Sequence, residues 1–443
     1  MKGNSFARDS FITLTRQVTS IFIGVLLLVV LARFLGPDGQ GKYALIILLP
    51  QMLMTFLNMG VNTSTIYYVS KGEIDLHSVF KNNLIIGGVL SLIGLLIGLL
   101  VILFFSDRLF SGTPSYLLFI SLIGLPFMIL NIFFQTIFQG LQNFKFFNTI
   151  LIVTQMSTLA FIALFIIVFD FGLAGSIVAF ILGHIGTTAF ILYLLFNKEG
   201  LKLRKSILSK QYMKQSLTYG LKAHVSNVMT FLNYRADIIL LGFFIGPAAV
   251  GIYVVAVNIG ERLSIFAQSI SSVLLPKISS LKDDLERNQL TSIISRNVLA
   301  FILIGSLSVF FLSDFVIDLL FDPRYEESSP LLKLLLPGIA VLSVEKILSN
   351  DIAARGKPEL NMYVSFFNVP FNVVLNVILI PQIGVSGAAI ATSVTYIISF
   401  IIKIAIFKKV TGEDYANFLF IQKSDFAFYK RLYNQVKYKI VKS

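Results

Sequence analysis

Cysteine is absent from the 443 residues, which excludes disulfides, thiolate nucleophiles and cysteine metal sites. Histidine is scarce, and His77, His184 and His224 are scattered without ligand spacing. Charge is scarce as well. Charged residues make up 13% of the chain, about half of what a soluble protein of this length carries. No Gly-x-x-x-x-Gly-Lys loop occurs, so ATP hydrolysis by that route is excluded. The Gly-Pro pairs at Gly36 and Gly246 read as turns and not as phosphate cradles. The stretch from Met1 to Ser10 is short and mixed in charge, and the apolar block after it is too long for a cleavable signal.

What remains is apolar: 56% of residues are hydrophobic and the mean hydropathy is +0.83. The apolar residues fall in blocks of about 20–25, long enough to cross a bilayer as helices. The expectation is an all-α polytopic membrane protein with about twelve transmembrane helices. They are placed near 11–35, 42–67, 84–105, 114–138, 148–169, 173–196, 214–245, 249–276, 290–313, 328–353, 361–380 and 385–407. Net charge is +13, with the basic residues in loops, where they set orientation. With the amino terminus inside, the inner segments hold nearly all the lysines and arginines. The outer loops hold Lys42, Arg108 and Arg324. Both termini are therefore expected to be cytoplasmic. The outer loops are short, which leaves no room for a catalytic domain.

The chain is written twice. Phe34-Leu35-Gly36-Pro37, then Gly41 and Tyr43, returns as Phe244-Ile245-Gly246-Pro247, then Gly251 and Tyr253, an offset of about 210 residues. Leu125-Pro126 returns as Leu336-Pro337, and Phe171-Gly172-Leu173-Ala174-Gly175 as Ile383-Gly384-Val385-Ser386-Gly387. The reading is two homologous six-helix lobes, 1–197 and 214–408. Six spans per lobe is even, so the repeat is parallel, with its axis along the membrane normal. Between the lobes, 198–213 is a basic linker expected to form an interfacial helix on the inner leaflet. The tail, 409–443, mixes aromatic and basic residues and suits an anionic membrane surface.

Polar residues in the spans are patterned. Gln51, Thr55, Asn58, Asn62 and Thr65 share one helical face about 80° wide. In the matching span, Asn258, Glu261, Ser264, Gln268, Ser271 and Ser272 share an arc of about 140°. Lipid cannot satisfy these groups. They serve either as hydrogen-bond glue between helices or as the lining of a hydrated cleft, and their repetition in both halves favours the cleft. Thr13, Gln17 and Ser20 mark one face of the first span, with Arg16 beside it. Ser226, Asn227, Thr230, Tyr234 and Asp237 mark the matching face of the seventh. Asp237 needs a partner from elsewhere, because Arg235 lies off its arc. Glu261, Arg262, Glu345 and Lys346 also fall inside spans, where a charge costs roughly 2.5–3.5 kcal/mol or more. Glu345 with Lys346 has a competing reading as a structural ion pair. Cations in such a cleft suit an anionic substrate, above all a phosphate. Carboxylates there suit coupling to an ion.

Asn233-Tyr234-Arg235-Ala236-Asp237-Ile238-Ile239-Leu240-Leu241-Gly242, then Gly246-Pro247, Val250-Gly251-Ile252-Tyr253 and Leu274-Leu275-Pro276-Lys277-Ile278-Ser279 carry a family likeness. Together they resemble the polysaccharide/oligosaccharidyl-lipid flippase branch of the multidrug/oligosaccharidyl-lipid/polysaccharide (MOP) exporter superfamily. The resemblance implies a V-shaped pair of six-helix lobes in the cell membrane working by alternating access. It also implies a flippase, not an enzyme. The substrate it implies is a polyprenyl-diphosphate-linked oligosaccharide, such as a unit of O-antigen, capsule or teichuronic acid. Arg16 and Arg262 are the candidates to meet the diphosphate. Gln17, Gln51, Asn58, Asn62 and Gln268 complete the substrate-binding set, and Asp237, Glu261 and Glu345 the ion-coupling set. No cofactor is expected beyond a proton or Na⁺ as coupling ion. Membrane lipids, a polysaccharide polymerase and chain-length machinery are the partners implied, without nucleic acid. A cation-coupled multidrug antiporter of the same superfamily is the alternative. A membrane-bound polysaccharide polymerase is disfavoured by the short outer loops.

Overall fold

The structure is a computed structural model that describes residues 2–72, 74–202, 208–281, 283–423 and 425. The side chains at 2–15, 222–223, 266, 268–277 and 279–280 fall outside that description. All regular structure among the described residues is helical. That follows from the solvent: in lipid a lone segment can satisfy its backbone only by bonding to itself.

The chain runs through α1 (Lys2–Leu57), α2 (Val61–Lys71), α3 (Leu76–Leu109), α4 (Ser115–Leu122), α5 (Leu125–Gly140), α6 (Phe144–Ile162), continued by a π-helical turn, Ala163–Val168, and α7 (Gly172–Asn197). It goes on through α8 (Lys210–Phe244), α9 (Pro247–Ser280), α10 (Asp284–Leu320), α11 (Ser328–Ala354), α12 (Pro358–Ile383), α13 (Val385–Thr411) and the short α14 (Tyr415–Leu419). The repeat persists in the elements: α3 and α10, and α7 and α13, lie about 210 residues apart. Nine described segments are long and apolar enough to cross a membrane, and the protein is a multi-pass membrane protein. Helices α8 and α11, 35 and 27 residues long, are also read as spans from sequence and carry more polar residues.

Breaks fall where glycine permits them. Gly36 (φ 66°) interrupts α1, and Gly246 (φ 121°) separates α8 from α9. In each case a proline follows, and its missing N–H costs little at the start of a helical segment. A second break corrects the sequence reading. The span expected over 42–67 stops at Leu57 and resumes at Val61, with Met59 (φ 50°) and Gly60 (φ 68°) left-handed between them. The described part of 198–213 also differs from expectation. Residues 199–202, 208 and 209 are not helical, and Leu201 is buried in an apolar core; 203–207 lie outside the described residues.

The chain forms two compact units. The first comprises Met1–Asn258, Asp314–Leu331 and Val369–Ala389. Its core gathers Val79, Phe80, Phe134, Ile137, Phe138 and Leu195, with Phe80 stacked on Phe134 at 4.8 Å. Two backbone crossings hold α8 and the start of α9 within this unit. A Cβ on Gly41 would overlap the Pro247 carbonyl, and one on Gly251 would overlap the Pro37 carbonyl, a reciprocal contact between repeat-related positions. Similarly, a Cβ on Gly60 would overlap the Gly220 carbonyl, and one on Gly220 would press on Met59 and Gly60. Beside this second crossing, Ser64 and Ser216 share a 2.5 Å hydrogen bond and Tyr67 stacks on Tyr219 at 4.4 Å. At the Gly-Pro end, Arg33 donates to the Leu319 and Leu320 carbonyls (2.6 and 2.8 Å), satisfying the last turn of α10. Leu92, Leu96, Leu100, Leu103 and Phe104 on α3 stand exposed as an acyl-chain-facing surface.

The second unit comprises Ile259–Ser313, Leu332–Asn368 and Ile390–Ser443. Ala267, Ile302, Ala340 and Ile347 form one apolar cluster. Val344, Leu348, Ile404, Phe407 and Phe418 form another. Several of its buried polar groups are ion pairs. Asp351, fully buried, accepts from Arg355 Nε (2.5 Å) and the Thr291 hydroxyl (2.6 Å). The start of the tail is part of this unit. Phe418 is buried against Phe407, and Asp425 takes a bidentate grip from Arg296, which also donates to the Asn417 carbonyl. Residues 426–443 lie outside the described residues.

The Asp425 carboxyl is held below the usual carboxylate range, chiefly by its hydrogen bonds from Arg296. A depressed carboxylate contributes stability above its unfolded value, near pH 4, and loses it as pH falls through the folded value. The tail contact is therefore expected to be intact at neutral pH and to loosen only under stronger acid. Asp425→Asn should instead release it at pH 7, seen as faster tryptic cleavage after the exposed Lys423. A second prediction separates strain from contact. Gly60→Ala and Gly72→Ala both place alanine at a left-handed position, but only Gly60 faces another backbone. Gly72→Ala should cost about 1–2 kcal/mol. Gly60→Ala should cost about 1–3 kcal/mol more, read as a larger drop in thermal stability in detergent.

Candidate functional site

In the first unit, Arg16 is half-buried on α1, and its Nε is enclosed without a hydrogen-bond partner. No carboxylate pairs with it among the described residues. One turn further on, Ser20 Oγ accepts from Gln155 Nε2 of α6 at 2.7 Å, and Gln155 Oε1 is enclosed without a partner. Gln17 and Gln51 are half-buried. The Thr55 hydroxyl donates to the Gln51 carbonyl of its own helix at 2.9 Å.

The polar face read across 51–65 is not one face. Asn58 is buried at the break, where its Oδ1 accepts from the Gly60 N–H at 2.7 Å. Two left-handed residues reset the helical phase, so Asn62 and Thr65 belong to α2. Thr65 is fully buried and accepts from Asn83 Nδ2 at 3.0 Å, with the Tyr212 hydroxyl at 3.5 Å. For Asn58 and Thr65 the structural role is thus the one observed. Asn62 is half-buried with its Oδ1 enclosed and unpartnered. Asp237 finds its partner within the unit: the Tyr253 hydroxyl donates to Oδ2 at 2.5 Å, and the Ile238 N–H donates to Oδ1 at 2.8 Å. The two residues flank the Gly246 turn, so the hairpin itself brings them together.

In the second unit, Glu261 and Arg262 are half-buried on α9. The Ser264 hydroxyl donates to the Glu261 carbonyl at 2.8 Å and accepts from Lys346 Nζ at 3.4 Å. Glu345 faces Lys403 of α13, with Nζ 3.7 Å from Oε1, and accepts from the Ser349 hydroxyl at 3.0 Å. Lys403 is 2% exposed and also donates to Asn361 Oδ1. In the sequence it shows only as a lone cation in an apolar span. The side chains of Thr13, Gln268, Ser271 and Ser272 lie outside the described residues.

Helices of this length and hydropathy, holding unpartnered polar atoms and paired charges, define a polytopic helical transporter. A sequence profile for the family described as polysaccharide biosynthesis protein matches residues 6–282. The chain belongs to that family. It is 25% identical over 393 residues to an uncharacterized membrane protein of Methanocaldococcus jannaschii, covering 83% of this chain and 76% of that one. It is 23% identical over 400 residues to the capsular polysaccharide biosynthesis protein CapF of Staphylococcus aureus, covering 89% and 97%. Among solved structures, the lipid II flippase MurJ in an inward closed conformation superposes with a TM-score of 0.74 at 18% identity. That match covers 91% of this chain and 87% of the other, and establishes a shared fold.

Removing one member of a buried ion pair costs about 3–5 kcal/mol, because the other is left uncompensated. Lys403→Met alone and Glu345→Gln alone should each lower thermal stability markedly. The double variant should recover most of that loss, and a thermal-shift double-mutant cycle measures the coupling.

Proposed function

We propose that this chain is a flippase that carries a polyprenyl-diphosphate-linked oligosaccharide across the cytoplasmic membrane by alternating access. Family membership and the relatives' polysaccharide and flippase names support the substrate kind. The observation that carries the reading is Arg16: a guanidinium inside a membrane-spanning helix, its Nε enclosed and unpartnered, with no described carboxylate against it. A cation held this way suits a ligand that brings its own negative charge, and a diphosphate matches the guanidinium fork. Gln17, Gln51 and Asn62 offer donors and acceptors of the kind that hydroxyl-rich headgroups need. Arg262, half-buried, is the second candidate cation.

Of the three carboxylates considered for ion coupling, Glu345 has Lys403 against it. We assign the coupling to Asp237 and Glu261, with a proton or Na⁺ as the ion. A polymerase and chain-length machinery would take up the delivered unit on the outer side. The chain itself makes and breaks no covalent bond in this reading.

The test is export of surface glycan in a strain that lacks its own flippase. Arg16→Ala should cut export about tenfold or more, as loss of one charged hydrogen bond implies, with membrane abundance unchanged by immunoblot. Arg16→Lys should keep part of it. Full export by the alanine variant would overturn the assignment of Arg16.

A further inference from the structure

We infer that Gln155 is a sugar-reading residue: its carboxamide, held by Ser20 on the face next to Arg16, takes a hydroxyl of the sugar attached to the diphosphate. The inference rests on the substrate class proposed above and adds a residue that the polar-face pattern did not reveal.

Three observations carry it. Gln155 lies in α6, where its neighbours Thr154 and Thr158 donate to carbonyls four residues back. Gln155 instead reaches across to α1 and donates to Ser20 Oγ at 2.7 Å. Its other end, Oε1, is enclosed and has no partner. Finally, Ser20 lies four residues after Arg16, so both stand on one face of α1, a turn apart. An enclosed acceptor held at Ser20 and an enclosed cationic donor one turn back along α1 thus each lack a complement.

A buried acceptor without a donor keeps the full penalty of losing water. Lipid cannot supply the donor. The ligand that serves both groups must offer an anionic acceptor and a neutral hydroxyl close together. A glycosyl phosphate has both: the phosphate oxygens are for Arg16, and a ring hydroxyl near the anomeric carbon is for Gln155. A hydroxyl both donates and accepts, so it satisfies the amide in either orientation. A diphosphate lipid without a sugar would satisfy Arg16 and leave Gln155 Oε1 alone. Gln155 would thus make the site prefer a loaded carrier over the spent one, which must not be carried back. Ser20 acts here as a positioning residue.

The test uses the full-length protein in nanodiscs, titrated with undecaprenyl diphosphate and with undecaprenyl-diphospho-galactose. Wild type should bind the sugar-bearing lipid more tightly. Gln155→Leu, close in size, should weaken that lipid about tenfold, as loss of one hydrogen bond to an otherwise unpaired group implies. It should leave the bare diphosphate lipid unchanged, which also shows that the variant is folded. Arg16→Ala should weaken both lipids. If Gln155→Leu changes neither affinity, or lowers both alike, Gln155 does not read the sugar, while the flippase reading stands. If wild type binds neither lipid, the substrate class itself is wrong and this inference falls with it.

Discussion

Acyl chains give a polar group nothing to bond to, and the whole molecule is organised around that single deficiency. The first unit answers it in two ways. Where helices cross at Gly41 and Gly251, or at Gly60 and Gly220, backbones meet without side chains between them. Beside these crossings, short hydroxyl and amide contacts such as Ser64 with Ser216 and Asn83 Nδ2 with Thr65 pair some of the polar atoms. Other enclosed polar atoms stay unmatched, among them Asn82 Oδ1 and Asn83 Oδ1; those of Arg16, Gln155 and Asn62 lie on the helices that carry the proposed site.

The second unit answers the same deficiency with charge. Lys403 with Glu345, Arg355 with Asp351 and Arg296 with Asp425 each place a cation on one helix or tail segment against an anion on the same or another. Such pairs add little net stability compared with apolar packing of equal volume, but losing one member is costly. Their value is in specifying which helices meet: a helix that slipped by one turn would strand an ion in an apolar core. The start of the tail is fixed by the same device, since the Arg296–Asp425 grip and Phe418 close over one end of the unit.

Much of this was legible in the residues, and for identifiable reasons. The helices announce themselves through block length, and the duplication through Gly-Pro and the Gly-x-Tyr that follows. Both are local signals. Asp237 was recognised as needing a partner, but Tyr253 could be named only once the turn at Gly246 folded the two helices together. The polar face across 51–65 was misread because periodicity presumes one unbroken helix. Two left-handed residues, Met59 and Gly60, are enough to end that premise. Lys403 and Glu345 are 58 positions apart on different helices, with no pattern in either to link them. Gln155 is a single polar residue off any stripe. Its meaning comes only from where Ser20 stands.

The reciprocal contact at Gly41 and Gly251 has a consequence for how such a gene can change. In most packed pairs a bulkier residue on one side can be accommodated by a smaller one opposite. Here the opposing surface is a peptide carbonyl, which no codon change can shrink. Because each glycine sits against the turn of the other copy, the two duplicated halves hold one another to their common ancestor at this spot. Divergence is open to them nearly everywhere else, and second-site suppression at this joint would have to come from moving a whole helix.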